Sequence, residues 1–481
     1  MNAMRRPPEV AKQRPELTRY PQVTLGVWVC VSLSILYLLT RAGDISLLVF
    51  VGSLMIIVFV LMPAYIWSKG LVLGMPILPL HMFTLAWTFG LPLSSEHIGV
   101  VGHDENQYLD VVATVVIYAV AASAAWLVTA GAKPRPKQTY LVLASGRGFA
   151  ILMMALISAG VFFAAVVGDG ISIDPGFFGI LRSGILAITT VALFVLSFRL
   201  GSGELNGMRR GLFIVFGIFY VVMQTVTIFL VGAIISVASM LVGYIIGTRR
   251  IPWLAMLLLV SLFSVLHIGK LEMRAEYWGD SPRSVHLHEL PGFFTEWIGF
   301  GLAEIADRDK GVTPQPIFER LSLVHMLLFA QSVTPDRVDF MEGYTYQMIP
   351  ELMVPRLFYP DKPGTHEGTT RLNVHYGIQN RDSADATTIG WGLINEAWAN
   401  FGNLGVAVLG CIMGALYGWI GRLTIGAPIM SMRVFVGATF AAIALQTEFT
   451  MGVYVTALFQ SLAVLAVLLP FLRPQPISTS A

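Results

Sequence analysis

The sequence predicts an all-α polytopic membrane protein of about 12 transmembrane helices, with a large, partly helical extracytoplasmic loop between spans 9 and 10. Three observations predict it. Hydrophobic residues make up 55% and charged residues 12% of the 481-residue chain, more apolar surface than a soluble core can hide, so lipid must cover the rest. Uncharged stretches of about 20 residues, the length that crosses the hydrocarbon, recur along the chain. Finally, 28 of the 60 Lys, Arg, Asp and Glu residues crowd into the segment between Lys270 and Gly392. A net charge of +2, with basic residues scattered among short loops, offers no stripe for nucleic acid.

Residues 1–22 are basic and Pro-rich, and no small-residue cleavage site follows the first apolar run, so that run reads as an uncleaved anchor. Spans begin near Val23, Ile45, Leu71, Leu109, Gly148, Phe177, Gly211, Phe229 and Ile251, filling 23–269. Gly211 to Gly247 runs about 37 residues without a charge, too long for one ordinary span. It reads as two short helices turning near Gly232. After the loop at 270–392, three further spans begin near Leu404, Val434 and Tyr454 and fill 393–473, leaving 474–481 as a tail. Short cytoplasmic loops are enriched in Lys and Arg. The basic residues flanking the spans, among them Arg19, Lys69, Arg147, Arg199, Arg249, Arg422 and Arg473, alternate as this requires, and the loop from Ser94 to Gln107 has none. Twelve spans with both termini cytoplasmic satisfy the alternation and put 270–392 outside the cytoplasm. Cys30 and Cys411 fall inside spans, where neither a disulfide nor a thiolate metal site is expected.

The loop is too long to lack structure of its own. Ile317, Leu321, Val324 and Leu328 have helical spacing over Pro316 to Val333, predicting a helix packed on the tops of the spans or laid along the interface. Pro350, Pro355, Pro360 and Pro363 then force an extended, turning path. Among polar residues within the spans, His267, Glu448, Gln446 and Arg182 fall toward the loop side, whereas His81 and Gln224 lie nearer the midplane. Such residues are costly in lipid and mark candidate sites, although interhelical hydrogen bonding explains any one of them equally well. Arg274, Arg283, Arg356, Lys362, Arg371 and Arg381 bring cations to the membrane surface, where Arg forks suit phosphate oxygens and acidic neighbours offer salt bridges instead. His286, His288, His366 and His375 lack zinc-motif spacing, and no metal or other cofactor is expected. The short loop from Arg41 to Asp44 has no pair of acidic residues of the kind dolichol-type glycosyltransferases carry there.

The stretch from Phe340 to Gly405 resembles the Wzy-type O-antigen or oligosaccharide repeat-unit polymerases. The likeness rests on Gly343 and Tyr344; on Pro355 and Arg356; on the turn Phe358, Tyr359, Pro360, Asp361, Lys362 and Pro363; and on Glu396, Asn400, Phe401, Gly402 and Gly405. It covers about 65 residues, a minor part of the chain. The resemblance implies polymerisation of undecaprenyl-pyrophosphate-linked oligosaccharide repeat units at the outer face of the bacterial inner membrane, without a metal, with lipid pyrophosphate as the leaving group. On that expectation Arg274, Arg356, Lys362, Arg371 and Arg182 bind pyrophosphate. Glu396 is the base, with His375 and His366 as rivals, and Tyr344, Tyr359 and Trp391 stack on sugars. A chain-length regulator and a flippase are the implied protein partners. An O-antigen ligase-type transferase and a transporter of polysaccharide or lipid-linked glycan remain as alternatives.

Overall fold

The computed structural model describes residues 19–131, 139–168, 170, 175–278, 283–307, 321–354, 358–386 and 389–476, with the backbone alone described at 145, 175–183, 307, 385 and 386. Helices dominate. From the N-terminus, α1 (Pro21–Thr40), α2 (Leu47–Ser68), α3 (Ile77–Leu85, continued to Ser94), α4 (Glu105–Ala130), α5 (Ser145–Val167), α6 (Pro175–Gly201), α7 (Gly207–Val226) and α8 (Leu230–Thr248) are each long and apolar enough to cross a bilayer. Next come α9 (Trp253–Ile268) and α10 (Lys270–Trp278), bent by 53° at Gly269. The charged block then carries α11 (Leu290–Asp307), α12 (Val324–Val333), α13 (Ile349–Met353), α14 (Glu367–His375) and α15 (Arg381–Ala386). The chain ends with α16 (Gly392–Leu423), α17 (Met432–Ala444) and α18 (Met451–Ala466, continued to Phe471). Ten of the described helices are of spanning length, or eleven if the bent α9–α10 pair is one span. The protein is an all-α, multi-pass membrane protein.

Large apolar side chains face outward along the spans, such as Leu254, Leu257 and Leu258 on α9 and Leu404, Val408 and Ile412 on α16. Only lipid accommodates so much exposed hydrocarbon. Inside the bundle glycine sets the spacing, because helices without hydrophobic pressure between them associate through close backbone packing. Gly410, Gly414 and Gly418 lie one turn apart on α16 against α4. A Cβ at Gly414 would strike the Ala122 carbonyl, and one at Gly418 the Thr129 hydroxyl. Gly243 and Gly247 of α8 meet the Phe194 and Phe198 carbonyls of α6 in the same way.

One end of the bundle is basic. There Tyr20 N donates to Ser68 O, Ile251 N to Gln22 Oε1, and Met75 N to Thr424 Oγ1. Strand β1 (Thr139–Leu143) pairs antiparallel with β2 (Leu472–Pro476) at this end, so residues expected as a free tail are a strand up to Pro476. The charged block covers the other end, called the loop end below.

Several expectations are corrected. Each anticipated span coincides with a helix, but the one near Val434 is α17, only 13 residues long. The stretch from Gly211 to Gly247 forms two full spans, α7 and α8, that turn at 227–229 rather than near Gly232. Of the helix expected over Pro316 to Val333, residues up to 320 lie outside the described residues, and the described part is α12, which begins at Val324. It does not lie along lipid: α12 buries Val324, Met326, Leu327, Leu328 and Ala330 against α4 and α16. Between them, α3 ends in a π-turn over Ala86–Gly90, and the Thr88 carbonyl accepts from Leu323 N at 2.8 Å, docking the charged block onto the spans.

Candidate functional site

The site is built around a break in α16. Phe401 (φ −143°) and Gly402 (φ 59°, ψ −153°) leave helical geometry, and the Gly402 conformation is closed to side-chain-bearing residues. A broken helix frees carbonyls, which must find donors when buried. Here the donors come from the loop: Met341 N reaches Ala399 O at 3.0 Å and Glu342 N reaches Asn400 O at 3.2 Å. Positive φ at Glu342 and Gly343 turns the loop back so that Gly343 N donates to Asn400 Oδ1 at 3.0 Å. Asn400 Nδ2 in turn donates to Thr345 Oγ1 at 2.9 Å and to Glu396 O at 2.8 Å. Asn400 thus sews the segment 341–346 onto the half-helix that precedes the break.

That half-helix is wholly buried from Gly392 to Asn400. Gly392, at φ 78°, starts it by donating its N–H to Glu448 O, and Asn395 Nδ2 donates to Leu323 O at 2.9 Å. Glu396 has 0% of its surface exposed. Its Oε2 accepts from Met451 N in the first turn of α18, where the helix dipole favours a carboxylate. Its Oε1 has no hydrogen bond of good geometry, and neither has the neighbouring Asn395 Oδ1. Buried acceptors without donors are rare in native interiors and point to a missing polar partner. Around Oε1 stand the Thr345 hydroxyl, Gly368 of α14, where a Cβ would lie 3.7 Å away, and Tyr346. Burial, helped by the Glu396 charge, raises the Tyr346 phenol above its ordinary range, so it stays a proton donor. Thr369 and Thr450 share a hydrogen bond at 3.1 Å that ties α14 to the start of α18.

The same α14 helix that brings Gly368 to Glu396 also carries a cation. Arg371 Nε pairs with Glu367 Oε1 at 3.0 Å, one turn earlier on α14, and its guanidinium stacks 4.1 Å from the Tyr344 ring centroid while Nη1 donates to Tyr344 O. Arg381 shares Glu367 through Oε2 at 2.8 Å. Lys362 Nζ donates to the carbonyls of Leu352 (2.9 Å) and Val354 (2.7 Å), closing the C-terminus of α13. Phe358 and Tyr359 stand exposed beside it.

The expected site residues separate into groups. Arg371 and Tyr344 stack on each other, and the segments that carry them border Glu396 through Gly368, Thr345 and Tyr346, while Lys362 and Tyr359 share a turn of their own. His366 is exposed at the start of α14, and His375 is exposed at its end with Nε2 against Asp339 O at 2.8 Å. No hydrogen bond or ring contact joins either to Glu396. Arg274 belongs elsewhere: its guanidinium stacks on Trp278 (4.5 Å) and Phe229 (5.3 Å) beside the α7–α8 turn. Trp391, expected as a sugar platform, is enclosed in this conformation. It is 0% exposed, with Nε1 donating to Asn373 Oδ1 at 2.7 Å and its ring against Tyr376, so no face is open to a ligand. Arg356, and the side chain of Arg182, lie outside the described residues.

Sequence reasoning missed Asn395, Thr345, Gly368 and the Met451 amide. An Asn–Glu pair one turn before Asn400 and a Phe-Gly break was a usable signal, whereas the rest become neighbours only through folding. His81 also has a structural explanation: its ring bonds Tyr118 Oη at 2.8 Å and the Ala444 carbonyl at 3.1 Å, where α17 stops. Compared with protein-family models, curated proteins and solved structures, the chain matches none.

Proposed function

We propose that this chain is a membrane glycosyltransferase that polymerises undecaprenyl-pyrophosphate-linked oligosaccharide repeat units at the outer face of a bacterial plasma membrane, with both termini in the cytoplasm. The observation that carries this reading is the buried Glu396 carboxylate, one oxygen held by the α18 N-terminus and the other facing Gly368 and Thr345, which belong to the same α14 helix and 344–346 segment as the Arg371–Tyr344 stack. The likeness of 340–405 to Wzy-type polymerases supports it from the sequence, since Glu396, Asn400 and Gly402 are the residues around which the site is built.

In the proposed reaction the hydroxyl oxygen of one lipid-linked unit attacks the sugar carbon attached to the pyrophosphate of another. The bond between that carbon and the pyrophosphate oxygen breaks, its electron pair leaves with the lipid pyrophosphate, and the hydroxyl proton passes to Glu396 Oε1. Positioned bases of this kind contribute about 10²- to 10⁴-fold. Arg371, held by Glu367 and Tyr344, supplies charge to the leaving group, and Lys362 adds a second cation from the turn it shares with Tyr359. Exposed Tyr344 and Tyr359 offer aromatic faces to sugars. Glu396 is sealed in this conformation, so the proposed reaction requires the segments that cover it, among them α14 and 341–346, to open.

Purified protein given lipid-linked repeat units, without nucleotide, is expected to yield a ladder of longer lipid-linked glycans. Transfer to a different acceptor with no ladder indicates a ligase, and translocation with no new glycosidic bond indicates a transporter. Either result overturns the reading.

A further inference from the structure

A cavity of about 260 Å³ opens beside the α7–α8 turn, lined by none of the residues around Glu396 and walled by Phe163 and Val166 of α5, Val226 at the end of α7, Ile228 of the turn, Tyr277 of α10, and Val285 beyond it. Its walls are mostly hydrocarbon and aromatic, with Thr227 and Arg283 as the polar members. The volume falls below the roughly 300–1,000 Å³ of small-molecule sites. It suits a stretch of hydrocarbon chain better than a whole substrate.

The rim has a different chemistry. Phe229 and Trp278 line it and remain substantially exposed, as aromatic residues do at the boundary between hydrocarbon and water. Two guanidinium groups stand there. Arg283 lies at the mouth, with Nη1 on Glu276 at 2.6 Å and the side chain 58% exposed. Arg274 stacks on both rim aromatics, its Nη2 touches Ile228 O at 3.4 Å, and its Nε is buried with no hydrogen-bond partner. The turn itself is strained. Ile228 adopts φ 56°, a left-handed conformation that a β-branched residue resists, while its side chain is 2% exposed. Strain of this kind persists where surrounding structure imposes it and clusters at ligand clamps.

We propose that this cavity is a lipid site that takes part of one acyl chain of an anionic phospholipid from the bilayer, with the headgroup phosphate on Arg274 and Arg283. The chain bends by 53° between α9 and α10, and on the proposed reading Arg274, on α10, and Arg283, after it, meet the bilayer at its headgroups. The contacts of Arg274 run to the α7–α8 turn and not to Arg371 or Glu396, which assigns it to a structural lipid rather than to the reacting pyrophosphate. The proposal does not depend on glycosyl transfer.

The test uses the full chain in neutral detergent, with phosphatidylglycerol and phosphatidylcholine of matched acyl chains titrated in and retained lipid read by native mass spectrometry. Phosphatidylglycerol is expected to be retained about tenfold more tightly, the equivalent of about 1.4 kcal/mol. The double variant Arg274→Gln, Arg283→Gln should lose that preference. Val166→Phe, which fills the cavity, should lower retention of both lipids, and all variants are compared only where lipid-free unfolding matches the parent. Equal retention of the two lipids, a preference that survives the double variant, or one-for-one displacement by undecaprenyl phosphate would each overturn the proposal.

Discussion

The backbone N–H of Met451 donates to Glu396 Oε2, fastening the first turn of α18 to the buried half of α16 across 55 residues of chain. The bond holds the carboxylate at the positive end of a helix dipole, with no ion pair to a cation among the described residues. Its other oxygen is left facing Gly368 and Thr345.

Glu396→Gln keeps an acceptor for Met451 N–H but cannot take a proton. Chain elongation by the purified protein should fall by about 10²- to 10⁴-fold while the thermal unfolding midpoint stays near that of the parent. A variant that elongates at the parental rate would remove Glu396 from the chemistry.

Arg371→Lys preserves charge but loses the planar fork that binds Glu367 while stacking on Tyr344. Loss of elongation in both Arg371→Lys and Arg371→Ala is expected, with the lysine form retaining some activity. If Arg371→Ala affected stability alone and left turnover intact, the guanidinium would be a scaffold for α14.

Gly414→Val places a branched side chain against the Ala122 carbonyl in the packed α4–α16 contact. The helices must separate, so destabilisation of about 1–3 kcal/mol or more is expected. Gly211→Ala, inside α7 with open space around it, is the control and should not destabilise, gaining up to about 1 kcal/mol from helix propensity. The comparison is read from unfolding midpoints in detergent.

His325 stacks 4.4 Å from His97, and burial followed by the charge of His97 lowers its pKa to about 4. The folded state therefore resists a proton that the unfolded chain accepts near pH 6.5. Stability contributed by neutral His325 is complete above about pH 6.5 and is lost as pH falls from there toward 4. The loss is at most about 3 kcal/mol, and partial exposure reduces it. His325→Gln should flatten the decline in unfolding midpoint between pH 6.5 and 4, and a decline unchanged by the substitution would assign it to other groups.

Much of the architecture was legible because lipid imposes a simple rule: backbone polar groups must be satisfied within a helix, so apolar runs of sufficient length announce themselves. All the anticipated spans from Val23 to Tyr454 fall on helices for this reason. The boundaries that failed lie where tertiary contacts replace helical hydrogen bonds. Helix α17 stops at Ala444, whose carbonyl meets His81, and α16 breaks at Gly402, where Met341 and Glu342 take the freed carbonyls. The site was legible in its polar identities, Glu396, Asn400 and Arg371, but not in its geometry. Trp391 looked like a sugar platform until Asn373 and Tyr376 enclosed it, and Arg274 looked like a phosphate ligand of the main site until its contacts proved to lie with Phe229 and Trp278.

By itself the sequence determined the class of solvent, the run of spanning helices and the segregation of charge into one block, because these follow from local hydropathy and length. Only the tertiary structure decided which polar groups meet. Met451 and Glu396, Gly343 and Asn400, and Leu323 and Thr88 are far apart in the chain, and they pair because a broken helix or a π-turn leaves buried groups that must be satisfied by whatever segment packs against them.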